Sequence, residues 1–257
     1  MEKVEQRAFG LSGRYVSILG LGTVKFGRNT GVKYPQGFDL PDDGAINGIL
    51  DLCIENGINL LDTAPAYGTA EERLGQLLGE RRDKFFLVTK TGEEFDGTTS
   101  RHIFTREHTE MSVERSLRRL KTDHLDCVLV HSTLDDLDVI ENTDVLETLH
   151  RLKGKGDIAS FGVSTYTIAG GKKAADLCDC VMVAYNPDYR EEESVIHYAL
   201  EKKKAVLIKK AMGSGHAPDP ARNLNFVART PGVTSIVFGS LNPNNIRSNI
   251  AALNKDE

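Results

Sequence analysis

Eight short apolar runs, each closing on a polar or glycine-containing end and each followed by an amphipathic stretch, constrain this chain most strongly. They read SILGLGT, INLLDTA, FFLVTKT, LDCVLVHS, IASFGVS, CVMVAYN, AVLIKKA and TSIVFGS. Nearly continuous apolar runs suit strands covered on both faces, and strands alternating with helical patterns imply parallel pairing through crossovers rather than hairpins. The helices are expected over 43–55, 70–78, 105–120, 144–152, 168–177, 192–203, 220–228 and 243–253. Thr105 can accept a free N–H at one helix start, and Gly57 tolerates the left-handed turn at one helix end.

Eight strand–helix pairs in 257 residues are the usual size of one (β/α)8 barrel, so a single domain over 1–257 is expected. Ahead of the first strand, RAFGLSGRYV carries a Gly-x-x-Gly spacing, Gly10 and Gly13, that suits an N-terminal β-hairpin plugging the barrel bottom. The longest irregular stretch, 24–42, is rich in Gly, Pro and aromatics and follows the first strand at the end where barrels keep their chemistry.

A net charge of −5 with no basic block points away from nucleic acid and from an anionic membrane. No run approaches the roughly 18 apolar residues of a membrane span, and MEKVEQRAFG lacks the apolar stretch of a signal peptide. A small-molecule partner and a cytoplasmic location are the expectation; the oligomeric state is left open. Cys53, Cys127, Cys178 and Cys180 fall inside helix or strand patterns, without CxxC spacing or clustering with histidines. Buried free thiols and no metal site are expected.

Four polar residues, Asp62, Tyr67, Lys90 and His131, stand at or just beyond the ends of three of the runs. In a parallel barrel, groups delivered from the C-terminal ends of different strands describe one site. A free tyrosine has a pKa near 10, so proton transfer near neutrality calls for a neighbour that stabilises the phenolate. Lys90 is expected to lower the pKa of Tyr67, with Asp62 holding the ammonium. A carbonyl bound between Tyr67 and His131 would be reduced by hydride, which no side chain can supply, so a nicotinamide cofactor is implied. The ends AVLIKKAMGSG and SIVFGSLNPNNI offer Gly, small polar residues and a helix start for its phosphates, with Lys209 and Lys210 adding charge. Each residue has a plainer reading. Asp62 could cap a helix, Tyr67 could be a turn aromatic and His131 a satisfied core histidine. Lys90 could be a rim charge or a Schiff-base lysine. The glycine-rich ends could be turns alone.

The chain resembles the aldo-keto reductase family from RAFGLSGRYVSILGLGT to the final helix. NLLDTAPAYG is similar to the segment carrying the family's catalytic Asp and Tyr, here Asp62 and Tyr67. LVTKT resembles the segment carrying the catalytic Lys, here Lys90, and VERSLRRLKTDHLDCVLVHS the one carrying the catalytic His, here His131. LKGKGDIASFGVST is similar to the segment that places Ser164 and Thr165 beside the nicotinamide. The resemblance implies a barrel that binds NADPH, or less often NADH, and acts on aldehydes, ketones, sugars or their alcohols. It further implies a cofactor surface of Gly22, Thr23, Asp62, Ser164, Thr165, Lys209, Lys210, Met212, Gly213, Ser214, Gly239, Ser240, Asn242, Asn245 and Asn249. The substrate would meet Tyr67, His131 and Phe26.

The chain departs from that pattern in several places. Thr165 stands where the family usually has Asn, and Met182 where a Gln commonly contacts the carboxamide. Asn245 aligns where a basic residue often meets the 2′-phosphate, with Arg247 two residues on; NADPH stays narrowly ahead of NADH. The chain stops soon after Asn249, so an open pocket is expected, with Phe26, Tyr34 and Phe38 as candidate walls. The altered carboxamide ligands also keep in view a nucleotide-binding regulatory subunit with little turnover.

Overall fold

The computed structural model describes residues 3–253. Two short strands, β1 (Gln6–Ala8) and β2 (Tyr15–Ser17), precede β3 (Leu19–Gly22), a short α1 (Val24–Gly27) and α2 (Asp43–Glu55). Then come β4 (Leu60–Asp62), α3 (Ala70–Leu77) and β5 (Phe86–Thr91), and a pair of strands, β6 (Glu93–Phe95) and β7 (Ser100–His102). The middle of the chain forms α4 (Arg106–Leu120), β8 (Cys127–His131), α5 (Asp136–Asn142), α6 (Val145–Lys155), β9 (Phe161–Ser164) and α7 (Ile168–Leu177). The remainder forms β10 (Cys180–Ala184), α8 (Glu193–Glu201), β11 (Ala205–Lys209), α9 (Pro220–Ala228), β12 (Ser235–Phe238) and α10 (Pro243–Leu253).

The strands β3, β4, β5, β8, β9, β10, β11 and β12 close a parallel barrel in chain order. Alternation along each strand sends one set of side chains inward and the other toward the helices. The inward set, including Leu60, Val88, Leu129, Met182 and Leu207, fills the barrel as its own cluster. The outward set joins helix residues such as Ile49, Leu74, Leu149 and Ile196 in a second, larger cluster. Burial of each such side chain contributes about 1.5–3 kcal/mol.

The expected plug is present. β1 and β2 pair antiparallel, and the turn between them uses Gly10 and Gly13 at φ 55° and 74°. Phe9 and Val16 of this hairpin complete the inward cluster, with the Phe9 ring 4.6 Å from that of Phe86 at the start of β5. The bottom is thereby sealed and the opposite end left for the site. Helix starts follow the sequence signals: Asp42, Thr105, Thr167 and Asp219 each accept a backbone N–H in the first turn.

Besides two 3-10 turns, Gly79–Lys84 and Gly213–Gly215, three features lie outside the eight expected pairs. The β6–β7 hairpin is short and polar, without the apolar alternation that marks a strand. Helix α5, at seven residues, is too brief to show a helical period. The four-residue α1 occupies the start of the expected loop 24–42.

Tyr67 is set by a close approach. Gly68, directly after it, has φ 62°, and a Cβ there would lie 2.2 Å from the Gly27 carbonyl oxygen at the end of α1. Both the backbone conformation and the space require glycine. Gly68→Ala is expected to lower stability by about 1–3 kcal/mol, read as a fall in thermal midpoint; a parent-like midpoint would contradict this contact.

Candidate active site

Register brings the polar strand ends to one level. Gly22 pairs with Asp62, Lys90 with Leu129, His131 with Ser164, and Ala184 with Lys209. The chamber over them has a volume of about 260 Å³ and is lined by all four expected residues, Asp62, Tyr67, Lys90 and His131. Gly22, Ser164, Met182, Lys209, Lys210 and Gly239 also line it.

Lys90 is buried and donates to Asp62 Oδ1 at 2.7 Å and to the Thr63 carbonyl at 2.8 Å. Its ammonium lies 4.7 Å from the centre of the Tyr67 ring. Tyr67 and His131 meet edge to face, with ring centres 6.4 Å apart. Asp62 is therefore committed to Lys90 rather than to capping a helix. Burial works against the Lys90 charge, but Asp62 and Tyr67 outweigh it and hold the ammonium above its ordinary range. An amine so firmly protonated is no Schiff-base nucleophile.

The phenol behaves differently from the expectation. Loss of solvent is the largest effect on Tyr67 and pushes it up to about 12, although Lys90 pulls the other way. Tyr67 is thus protonated throughout the neutral range.

His131 reveals a partner that the sequence did not disclose. Glu93, the first residue of β6, brings Oε2 to 2.6 Å from His131 Nδ1. The contact is short, but its alignment is poor for a hydrogen bond. Burial lowers the His131 pKa, with Glu93 opposing and Lys90 and Lys209 reinforcing the fall. Burial also disfavours the Glu93 carboxylate, but His131 and Ser100 overcome this and hold its pKa at about 2. A neutral imidazole beside a carboxylate keeps its proton on Nδ1, leaving Nε2 as an acceptor.

A second chamber of about 500 Å³ adjoins the first and shares Tyr34, Lys210, Val237, Phe238 and Gly239 with it. Met212 and Ser214 line it from the segment after β11, Ser240 from the end of β12, and Asn245 and Asn249 from α10. The two chambers therefore adjoin, with the Lys210 ammonium at their junction and small or polar side chains lining the larger groove, donors of a kind that could hold phosphate groups.

Several expected contacts fall elsewhere. Phe26 is buried in the helix-side core from α1, so Tyr34 supplies the aromatic wall instead. Thr23 is fully buried and donates to the Asp62 carbonyl, tying β3 to the end of β4. Thr165 turns its hydroxyl away from the chamber to donate to buried Glu192 at 2.9 Å, and Tyr166 takes the lining place. Gly213, at φ 55°, shapes the turn after β11, and Asn242 accepts from the Asn244 N–H at the start of α10; neither lines a chamber. Arg247 is exposed and outside the groove, whereas Asn245 lines it. Lys209 faces the smaller chamber, with Tyr67 and His131, rather than the groove.

The four cysteines are free and buried. Among the described residues no cluster of His, Cys, Asp or Glu has a metal-holding arrangement, and no helix is long and apolar enough to cross a membrane.

A parallel barrel with a Tyr, Lys, His and Asp at its C-terminal mouth, beside a second chamber lined by small and polar side chains, has the architecture of an oxidoreductase barrel. Residues 18–223 match the model of the aldo/keto reductase family, and the chain belongs to that family. It superposes on the crystal structure of PA4992 of Pseudomonas aeruginosa, assigned to the aldo-keto reductases, with a TM-score of 0.90 and 46% identity, covering 98% of this chain and 96% of that one. It is similar to D-arabinose 1-dehydrogenase of Saccharomyces cerevisiae, 35% identical over 51% of this chain and 39% of that protein. It is also similar to aldo-keto reductase YhdN of Bacillus subtilis, 36% identical over 60% of this chain and 48% of that protein. The matched region thus spans less than half the length of these two curated relatives.

The Glu93 carboxylate, held at about 2, stabilises the fold above the unfolded carboxylate pKa of about 4.3 and loses that contribution as pH falls toward 2. Glu93→Gln is therefore expected to show a smaller drop in stability between pH 5 and pH 2 than the parent, in denaturant unfolding at each pH. Equal drops would contradict the pairing.

Proposed function

We propose that this protein is an NADPH-dependent reductase of aldehydes and ketones, with NADH as the weaker cofactor, and that Tyr67 delivers the proton. The observation that carries this reading is the Tyr67 phenol above the Lys90 ammonium, itself locked to buried Asp62, in the chamber that His131 also lines. When bound, the cofactor supplies the hydride that no side chain can. Lys210, Ser214, Ser240, Asn245 and Asn249 line the groove that would hold its phosphates and adenosine, and Ser164 stands at the catalytic end.

The chain's own part is positional and acid–base. Tyr67 hydrogen-bonds the carbonyl oxygen and gives up its proton as negative charge grows there. A nascent alkoxide is a far stronger base than phenolate, so a phenol at about 12 still transfers its proton downhill. Lys90 steadies the phenolate left behind, and Asp62 keeps Lys90 in place. The neutral, Nδ1-protonated His131 offers Nε2 as an acceptor, suited to orienting a substrate hydroxyl. A phenol that stays protonated favours reduction over alcohol oxidation near neutrality. The acidic net charge and the buried free thiols support a cytoplasmic setting and a small-molecule partner.

NADPH consumption with a panel of aldehydes, followed at the reduced-nicotinamide absorbance, tests the reading. Tyr67→Phe is expected to lower kcat by about 10²–10⁴-fold while leaving the fold intact by circular dichroism. A Tyr67→Phe protein as active as the parent would remove Tyr67 from the chemistry.

A further inference from the structure

The charges lining the catalytic chamber do not balance. Asp62 is the one lining carboxylate, and Lys90 takes it at 2.7 Å. Three further ammonium groups, Lys33, Lys209 and Lys210, line the same space. Among the described residues none of the three has a carboxylate at ion-pairing distance. Lys210 sits at the junction with the groove, where a cofactor phosphate accounts for it. Lys209 does not share that explanation, because it lies at the catalytic end.

Lys209 is also held in place rather than free. Its Nζ donates to Ser164 Oγ at 2.9 Å and to the Thr165 carbonyl at 2.7 Å, and lies 4.0 Å from the centre of the Tyr166 ring. Those oxygens are neutral acceptors, so the ammonium is aimed but not neutralised. Burial is the main force on it. Glu192 and Asp136 offset this from behind the strand ends, Lys210 and Lys90 add to it, and the net pKa is held down to about 7. An anion in the chamber would relieve that strain on the charge, whereas a neutral ligand would not.

We propose that Lys209 is the anion-recognition residue of the substrate site, and that the preferred substrates are carbonyl compounds bearing a carboxylate. The proposal rests on the reductase reading for the carbonyl half and on the unpaired lysines for the anionic half. The carbonyl lies at Tyr67, and the carboxylate lies against Lys209, with Lys33 of the 24–42 segment adding positive potential. This assigns Lys209 to the substrate rather than to a cofactor phosphate.

The test compares kcat/KM for 4-carboxybenzaldehyde with that for its uncharged methyl ester, in the parent, Lys209→Met and Lys209→Arg, at saturating NADPH. A charge-assisted hydrogen bond corresponds to a preference of about tenfold to a hundredfold. The parent is expected to prefer the carboxylate by that factor, Lys209→Met to bring the ratio near one, and Lys209→Arg to restore it. Calorimetric binding of benzoate against methyl benzoate reads the same site without turnover, with the same pattern expected. A parent ratio at or below one in both assays overturns the proposal. So does a ratio that survives in Lys209→Met while fluorescence titration shows NADPH affinity lost, since Lys209 then serves the cofactor. Benzoate discrimination that depends on Lys209, in a protein that turns over neither aldehyde, supports the anion site while refuting the reductase reading.

Discussion

An ammonium with almost no solvent keeps its charge only if a counter-charge is built in beside it, and for Lys90 that group is Asp62. Removing either partner would strand the other, at a cost of several kcal/mol. The pair can form only if β4 and β5 hold their register and if the barrel bottom is sealed, as Phe9 and Val16 of the hairpin seal it. Thr23 adds a clamp from β3 onto the Asp62 carbonyl. Much of the fold near the mouth therefore serves to hold one ion pair under one phenol.

Two lysines in the same chamber illustrate how partners decide charge. Lys90 has a carboxylate in contact, and its pKa rises despite burial. Lys209 has hydroxyl and carbonyl oxygens instead, and its pKa falls to about 7. The same contrast separates His131, lowered by burial, from Glu93, which is held well below its ordinary range by His131 and Ser100. Asp62 is taken by Lys90, and Glu93 by His131, Ser100 and Arg28, which leaves the lysine-rich wall as the chamber's unanswered feature.

The barrel and its four central residues were legible because both depend on local pattern. Apolar runs announce parallel strands, and a polar residue at a run's end announces a barrel mouth. What the sequence concealed depends on direction and depth. Glu93 belongs to a short polar hairpin with no periodic signal, and only the turn at Gly92, φ 104°, carries it back over His131. Thr165 was expected at the chamber, but Glu192, distant in sequence, draws its hydroxyl outward. Phe26 was expected at the pocket, but α1 turns it into the core. The phenol's pKa was misjudged because a charge neighbour can be guessed from sequence, whereas the depth of burial cannot.

Proton delivery by Tyr67 requires a phenol that is fully protonated when a carbonyl arrives, and carbon-13 NMR of ζ-labelled tyrosine reads that state directly. Assigned by comparison with Tyr67→Phe, the Tyr67 signal at pH 10 is expected at the neutral phenol shift, because the phenol is half ionised only at about 12. A Tyr67 signal half or more ionised at pH 10, like an ordinary tyrosine, would contradict it.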